Sequence, residues 1–308
     1  MVPAVEIHDL HKQYAGGVVA LKGINLTVPV GEFFGLLGPN GAGKTTTIGI
    51  TTGLVRPSGG FVKVLGYDVV SQYRQSRRRI GLAAQELNFD WFFPIEELMI
   101  LQAGYYGVPR KVARQRTAHL LELFGLSGKR RVKPRELSGG MKRRFQIARS
   151  LVHDPEILIL DEPTAGVDVE LRRMLWSYLT QLNQEGKTII LTTHYIEEAE
   201  KLCDRVAIID HGRIITEGSP QKLMAGQNGD GLTITIDSWT EQTARALEGY
   251  DFNFTDGHIR ILIPQPELRL TEIINQLTSA GALVQDVAIS HSTLEDVFME
   301  LTGHGIDE

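Results

Sequence analysis

The sequence predicts an α/β fold in which a parallel core sheet is combined with an antiparallel β meander and a helical subdomain, followed by a small α+β domain. Three observations predict it. Residues 33–37, 157–160 and 188–192 are short apolar runs of the kind that form strands buried on both faces. Stretches with helical spacing follow these runs, and strands that alternate with helices form parallel sheets. A break after residue 217 separates a second set of strands and helices.

The N-terminal strands are predicted from residue alternation. Residues 5–10 and 18–30 alternate apolar and polar side chains around Gly16-Gly17, which indicates an antiparallel pair. Helical spacing begins at Lys44, and we place a helical subdomain at about residues 88–152. The further predictions are helices at 112–124, 141–152, 170–184 and 196–203, and a hairpin at 206–217.

A domain boundary is predicted at Gly218-Ser219-Pro220, where the pattern breaks. We therefore predict one domain over residues 1–219 and a second over residues 220–308. Beyond the boundary the pattern runs strand, helix, two strands, helix and strand, and it ends with a helix at residues 293–301. This order is typical of a compact βαββαβ sandwich. The length of 308 residues suits two domains of about 150 residues each.

The composition excludes several classes of protein. Apolar residues are 42% of the chain and charged residues 22%, which excludes global disorder. The single cysteine, Cys203, excludes an internal disulfide framework and a multi-cysteine metal site, and it suits a reducing cytoplasm. No apolar run approaches the roughly 20 residues of a membrane-spanning helix. The N-terminus carries Glu6 and Asp9, which is not typical of a signal peptide.

The strongest motif lies between the strand at 33–37 and the helix that begins at Lys44. It matches the pattern G-x-x-x-x-G-K-[ST], which predicts a phosphate-binding loop. Glycines let consecutive backbone N–H groups face phosphate oxygens at a helix N-terminus. Lys44 would lie against the β- and γ-phosphates, and the Thr45 hydroxyl would ligate Mg²⁺. The candidate nucleotide-binding residues are Gly38, Pro39, Asn40, Gly41, Ala42, Gly43, Lys44, Thr45 and Thr46.

Further candidates follow other predicted strands. Asp161 and Glu162 end the strand at 157–160, and ligands bind at the carboxyl edge of a parallel sheet. Asp161 can hold Mg²⁺ through a hydroxyl or water shell, and Glu162 is closer to an attacking water. His194 either reaches the γ-phosphate at this edge or is an ordinary core histidine. Tyr14 either stacks on a nucleotide base or lies at the surface.

The segment Leu-Ser-Gly-Gly-Met at residues 137–141 completes an ordered set of motifs. With the phosphate loop, Asp161-Glu162 and His194, it resembles the ATP-binding subunit of ABC transporters over about residues 4–217. The resemblance implies that Tyr14 stacks on adenine, that Gln85 contacts Mg²⁺ and the attacking water, and that Glu162 is the catalytic carboxylate. The resemblance also implies that His194 corresponds to the switch histidine of the family.

The same resemblance implies a dimer. In this family two chains pack head to tail, and each ATP is held between the phosphate loop of one chain and the LSGG segment of the other. Ser138, Gly139 and Gly140 would therefore bind the ATP of a second copy, and the cofactors would be ATP and Mg²⁺. Met141 replaces the usual glutamine after LSGG, and Ala165 and Val167 replace common residues of the D-loop at 165–168. No catalytic group is lost, so we expect an active ATPase.

One branch of the family is favoured. The segments LSGGMKRR, DEPTAGVD, TTHYIEEAE and STLEDVFMELTG are similar to those of bacterial drug, polysaccharide and lipid exporters. This similarity implies an integral membrane permease as partner and a peripheral position on the cytoplasmic face of the inner (plasma) membrane. The alternative is a soluble ABC-type ATPase that acts on the ribosome or DNA. Ribosome-acting members usually carry two cassettes, and DNA-repair members insert a coiled coil too long for the residues between Lys44 and Ser138.

An aromatic stretch at residues 89–93 follows Gln85 closely. It either plugs the gap between two subdomains or forms a docking groove for a short helix of the membrane subunit, which Tyr105 and Tyr106 would also line. Docking here would couple the nucleotide state to the transporter. The candidate docking residues are Trp91, Phe92 and Phe93.

The net charge of −5 conceals a basic block. Between Arg110 and Arg149 the chain has thirteen basic residues and two acidic ones, a net charge of +11. Three interpretations remain open: a solvated face, attraction to an anionic membrane leaflet, and a field that draws ATP to the dimer interface. The acidic remainder of the chain and the lack of an aromatic-basic repeat argue against a nucleic-acid partner.

Overall fold

The computed structural model describes residues 2–164, 167–193, 195–225, 231–255, 257–263, 265–290 and 293–303. The described chain divides into two compact units, the first ending at Ser219 and the second beginning at Pro220. Each unit has its own sheets and hydrophobic core. None of the described helices combines the length and the apolar character that crossing a lipid bilayer requires.

The first unit begins with an antiparallel sheet. Strand β1 (Val5–Gln13) pairs with β2 (Val19–Val28), as the residue alternation predicts. The other edge of β1 pairs with β4 (Gly59–Val64), and β4 in turn pairs with β5 (Tyr67–Asp68). Alternate side chains of β1 and β2 are buried, so one face of this sheet belongs to the core.

A six-stranded sheet forms the centre of the described part of this unit. Its strands are β3 (Phe33–Leu37), β6 (Ile80–Ala83), β7 (Ile157–Asp161), β8 (Thr188–Thr192), β9 (Arg205–Asp210) and β10 (Arg213–Gly218). The spatial order is β10-β9-β3-β8-β7-β6, and every pair is parallel except β9 with β10. All residues of β3, β7 and β8 are buried, which accounts for their continuous apolar runs.

Helices connect these strands. They are α1 (Lys44–Thr51), α2 (Tyr73–Arg78), α3 (Ile95–Tyr105), α4 (Arg110–Leu123), α5 (Gly139–Leu151), α6 (Val169–Gln184) and α7 (Ile196–Leu202). Helices α3, α4 and α5 pack against one another and form a helical layer. Helix α6 buries Leu171, Leu175, Leu179 and Leu182, an apolar stripe at the spacing of one turn.

The parallel strands bring distant segments of the chain together. The carboxyl ends of β3, β6, β7 and β8 lie at the same edge of the sheet because all four strands run in one direction. The segments that follow these ends carry the phosphate loop, Gln85, Glu162 and Thr193. This edge is where the candidate site is built.

The second unit has one antiparallel sheet in its described residues. Its elements are α8 (Pro220–Ala225), β11 (Gly231–Ile236), α9 (Glu241–Ala246), β12 (Asp251–Thr255), β13 (His258–Leu262), α10 (Pro266–Ser279), β14 (Val284–Ser290) and α11 (Leu294–Thr302). The strand order β12-β13-β11-β14 makes this a split βαβ arrangement, with the succession of elements that the sequence predicts.

Residue patterns do not predict β4, β5, β6, α2 and α3. Strand β5 has two residues and exists because it pairs with β4. Helix α2 is rich in arginine and buries only Ser76, so it lacks an apolar stripe. Helix α3 is apolar on most sides, which hides the one-sided periodicity of a surface helix.

A buried histidine joins the helical layer to the central sheet. His153, just beyond α5, donates a hydrogen bond from Nε2 to the carbonyl oxygen of Ile80 at 2.9 Å. Its ring stacks on Tyr106, with ring centroids 3.8 Å apart. Burial lowers the pKa of His153 from its ordinary 6.5 to about 4. The folded chain therefore holds this ring neutral.

We expect protonation of His153 to destabilise the fold in acid. Because the folded-state pKa is depressed, its contribution is complete above pH 6.5 and is lost as the pH falls through about 4. The loss should be about 3 kcal/mol in the free energy of unfolding. Urea denaturation between pH 7 and pH 4 measures it, and His153→Gln should flatten the profile. The exposed His119, replaced by Gln, is the matched control; an equal flattening there would contradict the assignment.

Candidate functional site

The loop between β3 and α1 can form only with glycine at certain positions. A Cβ atom on Gly38 would lie 2.2 Å from the carbonyl oxygen of Ile209. Gly43 has a φ of 117°, and a Cβ there would lie 2.7 Å from Cδ2 of Leu21. The loop therefore packs its backbone directly against neighbouring strands and leads into the N-terminus of α1, where backbone N–H groups favour an anion.

Lys44 is buried at the start of α1. Its ammonium donates to the carbonyl oxygens of Gly38 and of Pro39, the latter at 3.1 Å. Burial lowers the pKa of Lys44, while the nearby carboxylates of Glu162 and Asp161 favour its charged form. A cation held among these groups is suited to polyphosphate.

The acidic pair lies where β7 ends. Asp161 accepts a hydrogen bond from the Thr192 hydroxyl of the neighbouring strand β8. Burial raises the pKa of Asp161, and that hydrogen bond opposes the rise. Glu162 has a φ of 50°, a left-handed backbone that is uncommon for a residue with a side chain. Its N–H donates to the Thr192 carbonyl oxygen at 3.0 Å.

Gln85 and Glu162 meet across a small cleft. The Gln85 amide donates to the Glu162 carboxylate at 3.0 Å. The structure therefore brings together the phosphate loop, Gln85 and Glu162, which sequence reasoning placed in one site. The cleft of about 110 Å³ is lined by Pro39, Asn40, Gly41, Gly43, Lys44, Thr45, Thr46, Gln85 and Glu162.

Tyr14 stands beside this cleft. Its hydroxyl lies 3.3 Å from the Thr46 hydroxyl, and the Lys12 ammonium lies 4.8 Å from the centre of its ring. The ring is partly exposed, so one face is available to a flat partner.

The LSGG segment is built separately from the cleft. Ser138 caps helix α5 and accepts a hydrogen bond from the Met141 N–H at 3.4 Å. Ser138 and Gly139 are exposed at this helix start. Among the described residues that line the cleft, none belongs to this segment.

Two of the predicted features fall beyond the described residues. The candidate His194 lies outside them, as do Ala165 and Gly166 of the D-loop. The last D-loop residue, Asp168, is described and caps α6 by accepting from the Leu171 N–H at 2.8 Å.

The donor set at the sheet edge fits Mg²⁺. The Thr45 hydroxyl is exposed at the cleft, and the Asp161 carboxylate and Gln85 amide lie at the neighbouring strand ends. The described residues contain no cluster of three or more histidine, cysteine or acidic side chains that could hold a metal unaided. Mg²⁺ usually binds one or two carboxylates together with substrate phosphates, so no such cluster is needed.

Sequence reasoning missed a buried arginine beneath this site. Arg143 belongs to the basic block, but it is 6% exposed and therefore not part of a charged face. Its guanidinium reaches carbonyl oxygens next to Gln85 and Glu162. A signal was present in the sequence, since Gln146 and Ile147, three and four residues after Arg143, lie on the same side of the helix and are also buried.

Comparison with known proteins identifies the family. Residues 21–165 match the family model described as ABC transporter. The Nod factor export ATP-binding protein I of Burkholderia orbicola is 44% identical over 228 residues, which are 74% of this chain and 75% of that protein. This chain belongs to the ABC transporter family. The daunorubicin/doxorubicin resistance ATP-binding protein DrrA of Streptomyces peucetius is 36% identical over 314 residues, covering 99% of this chain and 94% of that one.

Solved structures of ABC ATPases share the fold. An ATP-binding subunit of an ABC transporter has a TM-score of 0.67 and 29% identity, covering 71% of this chain and 91% of that one. A dimeric ATP-binding cassette in a post-hydrolysis state, bound to ADP and Pi, has a TM-score of 0.66 and 28% identity, covering 70% and 98%. The chain is accordingly an ABC-type ATPase that binds and hydrolyses ATP.

The contact at Gly38 makes a test of the loop. Gly38→Ala should lower the free energy of unfolding by about 3 kcal/mol, because the added methyl overlaps a backbone oxygen of β9. Urea denaturation measures the stability, and equilibrium titration measures ATP binding, which should weaken as well. Gly128→Ala is the control, since nothing lies within 4 Å of its added methyl. Equal stability of the two variants would contradict the packing argument.

Proposed function

We propose that this ABC ATPase powers an exporter in the membrane and that two copies close on two ATP molecules with Mg²⁺. The observation that carries the proposal is the Gln85–Glu162 contact at the cleft formed by the phosphate loop. Export is supported by the relatives, whose names refer to Nod factor export and to daunorubicin/doxorubicin resistance.

Glu162 is the general base in this proposal. Its carboxylate lines the cleft beside the loop and is oriented by the Gln85 amide, so it can take a proton from water aligned with the γ-phosphate. Lys44 stabilises charge on the transferred phosphoryl group. Mg²⁺, held by Thr45, Gln85 and Asp161, would neutralise phosphate charge. We also assign the γ-phosphate contact to His194, and adenine stacking to Tyr14.

Dimerisation is supported by the shape of the site. A cleft of about 110 Å³ is small against the roughly 300–1,000 Å³ of ordinary ligand pockets. The exposed helix start at Ser138–Gly140 is a second place where backbone N–H groups favour an anion, and it is not part of that cleft. We infer that ATP is enclosed between the phosphate loop of one copy and Ser138, Gly139 and Gly140 of the other. One structural neighbour is a dimeric cassette.

A larger groove in the helical layer is the proposed docking site for the permease. It encloses about 940 Å³ between α3 and α4 and includes Phe93, Leu101 and Tyr105, the last 84% exposed. Trp91 and Phe92 are exposed nearby in the chain but do not line this groove, and neither does Tyr106. An apolar groove with charged rims suits a short amphipathic helix of a membrane subunit.

The aromatic stretch combines the two roles that sequence reasoning kept apart. Phe89 is buried and packs on Phe145 of α5, with ring centroids 5.1 Å apart, so it anchors the segment that follows Gln85. The exposed Trp91, Phe92 and Phe93 remain available to a partner. A peripheral position on the cytoplasmic face of the membrane follows from such docking, and the exposed basic residues of α4 favour an anionic leaflet by about 1 kcal/mol each.

Glu162→Gln should lower the rate of ATP hydrolysis at least about 100-fold, because an amide cannot act as the base. The variant should accumulate as an ATP-bound dimer, measured by size-exclusion chromatography with light scattering. Glu122→Gln, on the exposed side of α4, is the control and should hydrolyse ATP normally. Hydrolysis by Glu162→Gln at the wild-type rate would remove Glu162 from the mechanism.

Phe93→Ala combined with Tyr105→Ala should abolish ATP-dependent transport while ATP binding is retained, because only the docking groove is altered. The double variant Trp91→Ala with Phe92→Ala tests whether the permease also contacts the exposed aromatic residues outside the groove. Transport into membrane vesicles and binding to the reconstituted permease are the measurements. Leu268→Ala, a similarly exposed apolar residue of the second unit, is the control. Normal transport by both double variants would place docking elsewhere.

A further inference from the structure

Arg143 connects helix α5 to two segments of the nucleotide site. Its Nε donates to the carbonyl oxygen of Pro163 at 2.9 Å, and its Nη2 donates to the carbonyl oxygens of Asp161, at 2.7 Å, and of Glu162. Three consecutive carbonyls at the end of β7 thus accept from one guanidinium. Burial lowers the pKa of Arg143, and the charges of Asp161 and Glu162 favour its ionised form.

The carbonyls that Arg143 binds belong to a strained turn. Glu162 has a φ of 50°, a conformation that costs about 1 kcal/mol or more for a residue with a Cβ atom. Such a conformation persists only where the surroundings hold it. Here the carbonyls of Asp161, Glu162 and Pro163 are held by Arg143, and the Glu162 N–H is held by Thr192.

The same guanidinium also holds the segment that carries Gln85. Nη1 of Arg143 donates to the Ala84 carbonyl oxygen at 2.8 Å and to the Gln146 side-chain oxygen at 2.6 Å. The Gln146 amide in turn donates to the carbonyls of Ala84 and Glu86, at 2.8 and 2.9 Å. The backbone on both sides of Gln85 is therefore bound to α5.

We propose that Arg143 is a positioning residue for ATP hydrolysis. Its guanidinium holds the turn at Glu162 and the segment that carries Gln85 at a fixed distance and orientation to each other. The planar fork of guanidinium donors suits this task, because it can reach several carbonyls at once, whereas a lysine ammonium is a compact point. This inference rests on the proposed dimer, in which Ser138 caps α5 and contacts the ATP of the second copy. Arg143, on the same helix, then connects that contact to Glu162, the base that accepts a proton from the water attacking the other ATP.

Two replacements of Arg143 test this role in the full-length chain with Mg-ATP. Arg143→Lys keeps the charge, and Arg143→Gln keeps a neutral amide NH2 group that can donate hydrogen bonds. We expect kcat to fall at least about tenfold in both, with KM within about threefold of wild type, because the phosphate loop is untouched. Arg144→Gln is the matched control: Arg144 belongs to the same helix but donates to the Phe124 carbonyl oxygen, so its kcat should stay within about threefold.

A double variant separates positioning from general damage. If Arg143 acts through Glu162, then Arg143→Lys should slow the Glu162→Gln variant no further. Wild-type kcat in both Arg143 variants, or additive losses in the double variant, would overturn the proposal. So would failure of both Arg143 variants to fold, or a KM rise that matches the kcat loss. The ATP-trapped dimer of Glu162→Gln alone tests the proposed function independently, because it leaves Arg143 in place.

Discussion

The parallel pairing of β3, β8, β7 and β6 is the constraint on which the site depends. Parallel strands end at the same edge, so four segments far apart in sequence must converge there. The registers Leu36 with Thr192 and Asp161 with Thr192 fix how far each segment extends. The phosphate loop, Gln85 and Glu162 all follow strand ends at that edge.

The site also requires charged groups to be buried, and the buried charges of opposite sign stabilise one another. Lys44, Asp161 and Arg143 are all removed from water, which would disfavour each charge by itself. The opposite charges of these residues stabilise one another, and backbone carbonyls also accept hydrogen bonds from Lys44 and Arg143. The arrangement leaves Glu162 at the cleft with its backbone held and its carboxylate oriented by Gln85. In the proposed mechanism, a Glu162 carboxylate held in this way needs little rearrangement before it accepts a proton.

The helical layer relates the nucleotide site to the surface. Arg143 and Gln146 bind the Ala84 carbonyl before Gln85, Gln146 also binds the Glu86 carbonyl after it, and Phe89 continues the attachment on Phe145. The aromatic residues Trp91, Phe92 and Phe93 that follow are exposed, and Phe93 lines the groove between α3 and α4. A shift of α5 would therefore be felt at Gln85 and at the proposed docking site together. We propose that this continuity couples ATP hydrolysis to a membrane partner.

Gln85 was identified only through the resemblance to the ATP-binding subunits of ABC transporters. The sequence by itself determined the α/β class, the phosphate loop, the acidic pair Asp161-Glu162 and most strands and helices, because glycine positions, buried apolar runs and helical periodicity are local signals. It could not reveal β5 or α2, whose existence depends on neighbouring strands and not on their own residues. Nor could it separate Arg143 from the basic block, since burial is a property of packing. Only the tertiary structure decided that this guanidinium lies under Glu162, that Phe89 is internal while Phe92 is exposed, and that the groove lies at Phe93 and Tyr105. Those distinctions depend on contacts between segments far apart in the chain, which no local pattern encodes.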